Sequence, residues 1–295
     1  MQKLIKKVKY LMEFFVFIIF FILFRIFPLH ISRKIGVVIS SFLGTYSPTN
    51  KIIKKNLLIA FPEKSKYWHS ETIKKVWKNF GMITAEYAHL NKISKKENKM
   101  IEISSNQYAK DFFNSTNKNI LVSAHSCNWE IPGIACKNHS ENISGIVREP
   151  NNYYIKYFLR EIRRKYSVRC YEKNLIGTKK LINDFNRGKS IALLADQQLS
   201  SGVETTFFGE TVHSTSLPAQ LALKSNCNIY LAWPRRDGEK FIFEFFPPIE
   251  VKQLENNQEN IKLIVEKINR FFESQISKYP EEYFWHHNRW KTYSV

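Results

Sequence analysis

From about residue 101 onwards, short apolar runs of strand length alternate with stretches of helical periodicity. Two of these runs, residues 120–124 and 191–195, are almost entirely apolar, which is typical of strands buried on both faces. The alternation predicts an α/β fold with a mixed, largely parallel sheet flanked by helices. In such a sheet ligands bind beyond the carboxyl ends of the strands, so residues that follow these runs are candidates for a functional site.

The other elements follow from the same patterns. Helices are predicted over residues 70–90, 129–136, 153–165, 178–186, 216–225 and 258–278, and further strands over 145–147, 229–233 and 241–246. The last helix has the clearest pattern, because Ile261, Val265, Ile268, Phe272 and Ile276 share one stripe. We therefore expect that stripe to pack on the sheet.

The charge of the chain indicates what it associates with. The 295 residues include 45 Lys and Arg against 26 Asp and Glu, a formal net charge of +19, and 44% of them are apolar, which excludes a disordered chain. Four cysteines are too few for a disulfide framework. Nucleic acid and anionic membranes both attract such a protein. No helix-turn-helix, zinc-finger or RNA-recognition signature is present, so we expect a membrane and no nucleic acid.

The N-terminus favours the membrane. Lysines stand at positions 3, 6, 7 and 9, and residues 14–24 follow without a polar side chain, between Glu13 and Arg25. This pattern predicts a retained membrane anchor over residues 1–30, ahead of a catalytic domain over residues 31–295. A helix lying in the membrane interface and a buried core helix are alternatives. A signal peptide is a further alternative, but no cleavage site of small residues follows.

A possible general base follows the first buried strand. His125 comes directly after residues 120–124, and Glu130 lies five positions further on, in a helix-forming segment. A carboxylate there would hydrogen-bond one ring nitrogen and make the other a better base for a hydroxyl that attacks an acyl carbonyl. Two alternatives use neighbouring residues: Cys127 as a nucleophile with His125, or a zinc site. The zinc ligands would be His125, Cys127, Cys136 and His139, a spacing that matches no familiar pattern.

Arginines supply possible anion-binding groups. Arg148 follows a short predicted strand, and Arg160, Arg163 and Arg164 stand at helical spacing i, i+3 and i+4 in the next helix. Arginine binds phosphate bidentately, which suits a phosphorylated lipid head group or an acidic carrier protein. A solvated basic face is the alternative.

Three further segments have more than one interpretation. Asp196 and Gln197 follow the second buried strand run, at the edge where a site is expected. The phenylalanines of residues 207–209 either line an acyl slot or belong to the core. The aromatic and basic tail, residues 279–291, suits a lid that either faces a membrane or packs on the domain, and its adjacent His286 and His287 are far from a third metal ligand.

Together these segments resemble the late acyltransferases of bacterial lipid A biosynthesis, within the lysophospholipid acyltransferase superfamily. His125 and Glu130 match the family's His-x4-Asp/Glu motif, and Arg163 aligns best with its downstream helix arginine, with Arg164 one place away. The other matches are Asn56-Leu57, Phe61-Pro62-Glu63, Arg148 to Asn152, Asp196-Gln197, Phe207 to Gly209, Ser214 to Ala219 and the tail. Glu149 and His287-Asn288 depart from the family's pattern.

The resemblance implies a fold similar to glycerolphosphate and lysophospholipid acyltransferases. It implies transfer of an acyl chain from acyl-acyl carrier protein to a hydroxyl of a Kdo-bearing lipid A precursor, at the cytoplasmic face of the bacterial inner membrane. His125 would be the general base and Glu130 would orient it, with no metal and no cofactor. The substrate-binding residues would be Arg148, Arg163, Arg164, Asp196 and Gln197. Transfer to another glycolipid or aminolipid, and a lipid-binding scaffold without catalysis, remain as alternatives.

Overall fold

The computed structural model describes residues 2–291. Its strands are β1 (Ile101–Ile103), β2 (Ile120–Ser123), β3 (Ile143–Val147), β4 (Arg169–Glu172), β5 (Ser190–Leu194), β6 (Gln198–Phe207), β7 (Glu210–Ser214), β8 (Ile229–Asp237) and β9 (Lys240–Ile249). Its α-helices are α1 (Gln2–Ile26), α2 (Leu29–Thr45), α3 (Asn50–Ala60), α4 (Lys66–Tyr87), α5 (Leu90–Ile93), α6 (Gln107–Asn114), α7 (Ile131–His139), α8 (Tyr153–Tyr166), α9 (Leu175–Asn186), α10 (Leu217–Ser225) and α11 (Gln258–Lys278).

The main sheet has the strand order β1-β9-β8-β2-β5-β3-β4. Every neighbouring pair is parallel except β8 and β9, which are joined by a tight turn between Asp237 and Lys240. Gly238 has φ +58° in this turn, a conformation that glycine adopts without steric cost. The predicted mixed, largely parallel sheet flanked by helices is therefore confirmed, and its fully buried β2 lies near the centre.

Apolar side chains cover both faces of this sheet. One core joins β2, β5 and β8 to α10, α11 and the C-terminal tail, and a second joins β8 and β9 to α6 and α7. The predicted stripe of α11 is buried along its whole length, from Ile261 to Ile276. The strands β1 and β4 and the helix α6 lacked a clear sequence pattern, because they are short and their burial is uneven.

The strands β6 and β7 form a hairpin that the sequence did not predict. Its turn consists of Phe208 and Gly209, with φ of +51° and +76°, the geometry of a two-residue hairpin with two left-handed residues. Phe207 is fully buried in the main core, and the Phe208 ring packs 5.4 Å from that of Phe61. The phenylalanines of residues 207–209 therefore belong to the core and do not line an acyl slot.

The N-terminal helices pack on the rest of the molecule through aromatic and glycine contacts. The ring of Phe158 in α8 lies 4.8 Å from that of Phe21 and 5.4 Å from that of Phe17, both in α1. The helices α2 and α4 touch at Gly36 and Gly81, where a Cβ on Gly36 would lie 2.3 Å from the Gly81 carbonyl oxygen. Within residues 2–291 no helix is both long enough and apolar enough to cross a bilayer. The N-terminal membrane helix is thus unconfirmed.

A buried ion network links these helices to the sheet. The Glu86 carboxylate in α4 accepts from Arg33 Nε at 2.7 Å and from Arg236 Nη1 and Nη2 at 2.6 and 3.0 Å. It also accepts from Asn128 Nδ2 at 2.8 Å, just beyond β2. Burial alone would raise the pKa of Glu86, but Arg236 and Arg33 hold this pKa below its usual value. The network fixes the loop that follows β2, in which His125 lies.

Candidate active site

A cavity of about 950 Å³ opens at the carboxyl edge of the parallel strands. Four neighbouring strands place an ionisable residue at this edge: His125 after β2, Asp196 after β5, Arg148 after β3 and Lys173 after β4. The side chains of His125, Arg148, Lys173 and Gln197 line the cavity. The expectation that a site follows the ends of the apolar strands therefore agrees with the position of the cavity.

His125 and Asp196 form a hydrogen-bonded pair. The register aligns Ser123 of β2 with Leu194 of β5, so the residues two positions beyond each strand lie side by side. His125 Nδ1 donates to Asp196 Oδ1 at 2.7 Å, and the Asp196 side chain is only 3% exposed. Because Nδ1 carries the proton, Nε2 keeps a lone pair, and the Gln197 side-chain nitrogen lies 3.5 Å from it.

The environment of Asp196 keeps it ionised. Burial alone would raise the pKa of Asp196, but the positive charge that the His125 ring carries when it is protonated, its hydrogen bond, and backbone N–H groups of His125 and Asp196 hold this pKa below its usual value. A buried carboxylate in this position fixes the orientation and tautomer of the imidazole and stabilises the imidazolium that forms on proton transfer.

Glu130 does not hydrogen-bond to His125, in contrast to the prediction from the sequence. Its carboxylate accepts from Arg163 Nε and Nη2 at 3.0 and 2.8 Å and from the Tyr87 hydroxyl at 2.6 Å. Arg163 is 10% exposed, and a buried guanidinium requires a carboxylate partner, which explains why Glu130 faces α8. The carboxylate that orients His125 follows the carboxyl end of the neighbouring strand β5, 71 residues away in the sequence.

The predicted arginines differ in their availability. Arg163 lines the cavity, but its charge is matched by Glu130 and by Glu149, whose Oε2 lies 3.5 Å from Nη1. Arg164 pairs with Glu161 on the surface, its side chain is 68% exposed and it is absent from the cavity wall, so it does not share a face with Arg163. Arg148 lines the cavity and takes part in none of the ion pairs found among residues 2–291.

Lys173 is a site residue that the sequence analysis missed. Its backbone N–H donates to the carbonyl oxygen of Val147 at 2.7 Å, which sets Lys173 beside Arg148 at the cavity edge. Partial burial and the charge of Arg148 lower the pKa of Lys173, while Asp196 opposes the change. The sequence offered little to identify Lys173, because β4, the strand that it follows, is too short and too polar to be recognised. Its place in the turn before α9 was the only sequence signal.

The C-terminal tail packs against the site. Phe284 N–H donates to the His125 carbonyl oxygen at 2.9 Å, and Cys127 N–H donates to the Glu282 carbonyl oxygen at 2.8 Å. The tail is therefore hydrogen-bonded to the backbone of the loop that follows β2. Trp285 is fully buried, and Asn56 Nδ2 donates to its carbonyl oxygen at 2.9 Å. Of the two interpretations of this segment, the packed lid agrees with the structure. Three tail residues line the cavity: Phe284, His286 and His287.

The cysteine and zinc alternatives do not fit this geometry. Cys127 is fully buried, does not line the cavity, and burial raises the pKa of its thiol far above neutral pH, so it is no nucleophile. In the part of the chain that the structure describes, no three His, Cys, Asp or Glu side chains are grouped so that they could hold a metal ion.

An imidazole whose Nδ1 is held by a buried carboxylate and whose Nε2 faces a cavity can take a proton from a bound hydroxyl. Such a site is typical of an enzyme that transfers a group to an alcohol, with Arg148 and Lys173 available for an anionic substrate. The chain belongs to the bacterial lipid A biosynthesis acyltransferase family, whose sequence model matches residues 1–292. It is thus an acyltransferase, as the resemblance implied.

Two further comparisons complete this result. The chain is similar to the crystal structure of the 1-acyl-sn-glycerophosphate acyltransferase PlsC from Thermotoga maritima, with 10% sequence identity and a TM-score of 0.40, over 83% of this chain and 98% of the other. No curated protein sequence matches the chain significantly.

Proposed function

We propose that this protein transfers a fatty acyl chain from acyl-acyl carrier protein to a hydroxyl of a Kdo-bearing lipid A precursor. The observation that carries the proposal is the hydrogen-bonded pair of His125 and Asp196, which opens on a cavity of about 950 Å³ in a chain of this family. The family supports acyl transfer in lipid A biosynthesis, and the thioester donor and the Kdo-bearing acceptor are the finer assignment that we propose.

In the proposed reaction, His125 Nε2 takes the proton of the acceptor hydroxyl as its oxygen attacks the thioester carbonyl carbon. The new C–O bond forms, the C–S bond breaks, and the leaving thiolate recovers the proton from the imidazolium. Asp196 holds the ring throughout and stabilises its transient positive charge. No acyl-enzyme is needed, because a thioester is already an activated acyl donor.

We assign the anionic groups of the acceptor to Arg148 and Lys173. The strand β5 separates β2 from β3, so Arg148 lies about 10 Å from His125 along the sheet edge, at about 4.8 Å per strand. The charge of Arg163 is already matched by Glu130 and Glu149, which leaves Arg148 and Lys173 for a phosphate or a sugar carboxylate. In this assignment Arg163 supports the cavity wall.

Substitution of these two cations is expected to weaken acceptor binding. We expect Arg148→Ala and Lys173→Ala each to raise KM for the acceptor by about 10–150-fold with kcat nearly unchanged, since a charge-assisted hydrogen bond contributes about 1.5–3 kcal/mol. The matched control is Arg164→Ala, which lies outside the cavity wall, is 68% exposed and pairs with Glu161, and which should keep the wild-type KM. A KM that responds equally in all three variants would contradict the assignment.

We also propose that α1 lies on the cytoplasmic face of the bacterial inner membrane, with the active site on the cytoplasmic side. Its inner face packs on α8, whereas its outer face presents large apolar side chains to solvent beside the N-terminal lysines, as in interfacial helices. The exposed apolar residues of α1 are Leu4, Ile5, Val8, Leu11, Met12, Phe15, Val16, Ile19, Ile22 and Ile26.

Vesicle binding tests this placement. We expect Phe15→Glu with Ile19→Glu, which puts two carboxylates on the outer face of α1, to abolish flotation with vesicles that contain anionic phospholipid. Each of these side chains is at least half exposed, so the double variant should keep its melting temperature. Leu263→Glu, an exposed apolar position on α11, serves as the control and should float normally. Equal flotation of all variants would refute the proposal.

Lipid analysis of a strain that lacks this protein tests the function itself. Mass spectrometry of its lipid A should show the loss of one secondary acyl chain, and the mass difference identifies that chain. Complete lipid A together with the loss of an acyl chain from another glycolipid or an aminolipid would identify a different acceptor. An unchanged set of acylated lipids would favour a scaffold and overturn the proposed reaction.

A further inference from the structure

The reaction described above gives no role to His287, a residue of the C-terminal tail that lines the cavity. Its ring is fixed by the backbone of β6, because Gln198 N–H donates to His287 Nε2 at 3.1 Å. A backbone N–H is only a donor, so Nε2 must be unprotonated. The proton of the ring is therefore on Nδ1, and no residue among 2–291 accepts a hydrogen bond from it.

The surroundings of His287 keep this ring neutral. Burial lowers the pKa of His287 to about 4. The positive charges of Arg289 and Lys173, and that of His125 when its ring is protonated, act in the same direction, while Asp196 opposes them. At neutral pH the ring is therefore a neutral N–H donor with a fixed tautomer. It differs in this from His125, whose Nδ1 is the donor to Asp196 and whose Nε2 is left as an acceptor.

His287 lies close to the base. Gln198, to which its ring is bonded, is two residues beyond Asp196, and the intervening Gln197 has its Nε2 3.5 Å from His125 Nε2. Residues 196–198 thus supply a partner to each imidazole: the Asp196 carboxylate to His125 and the Gln198 N–H to His287. Both rings line the same cavity. A carbonyl group bound between the two rings would have the base, His125 Nε2, on one side and the hydrogen-bond donor, His287 Nδ1–H, on the other.

We propose that His287 Nδ1–H donates to the carbonyl oxygen of the donor thioester and stabilises the negative charge that develops on it. This inference rests on the proposed acyl transfer. As the acceptor oxygen bonds to the carbonyl carbon, the π electrons of the C=O bond move to the carbonyl oxygen, and the hydroxyl proton moves to His125 Nε2. Those electrons then re-form the C=O bond as the sulfur leaves. A fixed neutral donor needs no reorientation when the charge appears, and this makes such groups effective.

Substitution of His287 by Leu and by Gln tests the proposal with acyl-acyl carrier protein and the lipid precursor as substrates. His287→Leu should lower kcat by about 10²–10³-fold, the usual cost of one such donor, and leave both KM values within about threefold. His287→Gln is the matched control, because its amide can accept from Gln198 N–H and donate to the carbonyl oxygen. It should retain at least about a tenth of the wild-type kcat.

A spectroscopic measurement separates this role from mere support of the backbone. In His125→Ala protein without the acceptor, so that the donor is not transferred, the C=O stretch of a bound 13C-labelled acyl thioester should lie below its value in water-free solvent. Adding His287→Leu should return the frequency to that value, whereas adding His287→Gln should not. A kcat of His287→Leu within tenfold of wild type, or a C=O stretching frequency that does not change when His287→Leu is added, would overturn the inference. If the wild-type protein transfers no acyl chain from any thioester, the proposed function itself fails, and this inference fails with it.

Discussion

His125→Ala is expected to lower kcat for acyl transfer by about 10²–10⁴-fold, the range that general-base catalysis contributes. The physical reason is that Nε2 of this ring is the basic atom held toward the cavity by the bond between Nδ1 and Asp196. Without it, the acceptor alcohol must lose its proton to water, in a cavity where the thioester is already bound. The measurement is single-turnover transfer of a labelled acyl chain at saturating concentrations of both substrates.

A second variant shows that the loss comes from the base and not from misfolding. The amide of His125→Gln can still donate to Asp196, which is only 3% exposed, but it cannot take a proton at neutral pH. We expect it to be as inactive as His125→Ala, with a melting temperature and vesicle flotation like those of the wild-type protein. Activity above a tenth of wild type in either variant would disprove the assignment of the base.

The sequence predicted the central strands of the sheet well. The apolar run of β2 was evident because both faces of this strand are buried, and that of β5 was evident although its alternate residues are only half-buried, beside the cavity. The stripe of α11 was evident because one helix face packs on the core. The residues that follow these two strands, His125 and Asp196, were nominated from their position alone. Their position at the strand ends was therefore the most informative sequence signal for the site.

The partner of His125 could not be predicted, because it depends on the strand order. Sequence spacing favoured Glu130, five residues from His125, whereas the structure places β5 directly beside β2 and so brings Asp196 to the ring. The orientation of Glu130 depends on Arg163, in a helix whose packing cannot be read from its own periodicity. Lys173 was missed for a related reason, since β4 lies at the sheet edge and lacks an apolar pattern.

Asp196 and Glu130 can be compared to find which carboxylate supports His125, the one bonded to it in the structure or the one at the motif spacing. Asp196→Asn and Glu130→Gln both change a buried carboxylate into an amide of similar shape, at side chains that are 3% and 7% exposed. We expect Asp196→Asn to lower kcat by on the order of 10³–10⁴-fold. The amide can donate to His125 Nδ1, which moves the ring proton to Nε2 and removes the lone pair that accepts the proton of the acceptor hydroxyl.

Glu130→Gln should instead act mainly on stability. It removes the charge that faces Arg163 and leaves Glu149, at 3.5 Å, as the remaining carboxylate partner. We expect a loss of about 2–3 kcal/mol, or a fall in melting temperature of about 5 °C, with kcat within about tenfold of wild type. Denaturant unfolding and single-turnover transfer, measured on the same preparations, give both values. The reverse outcome, an active Asp196→Asn and an inactive Glu130→Gln, would mean that the ring of His125 turns to Glu130 during the reaction.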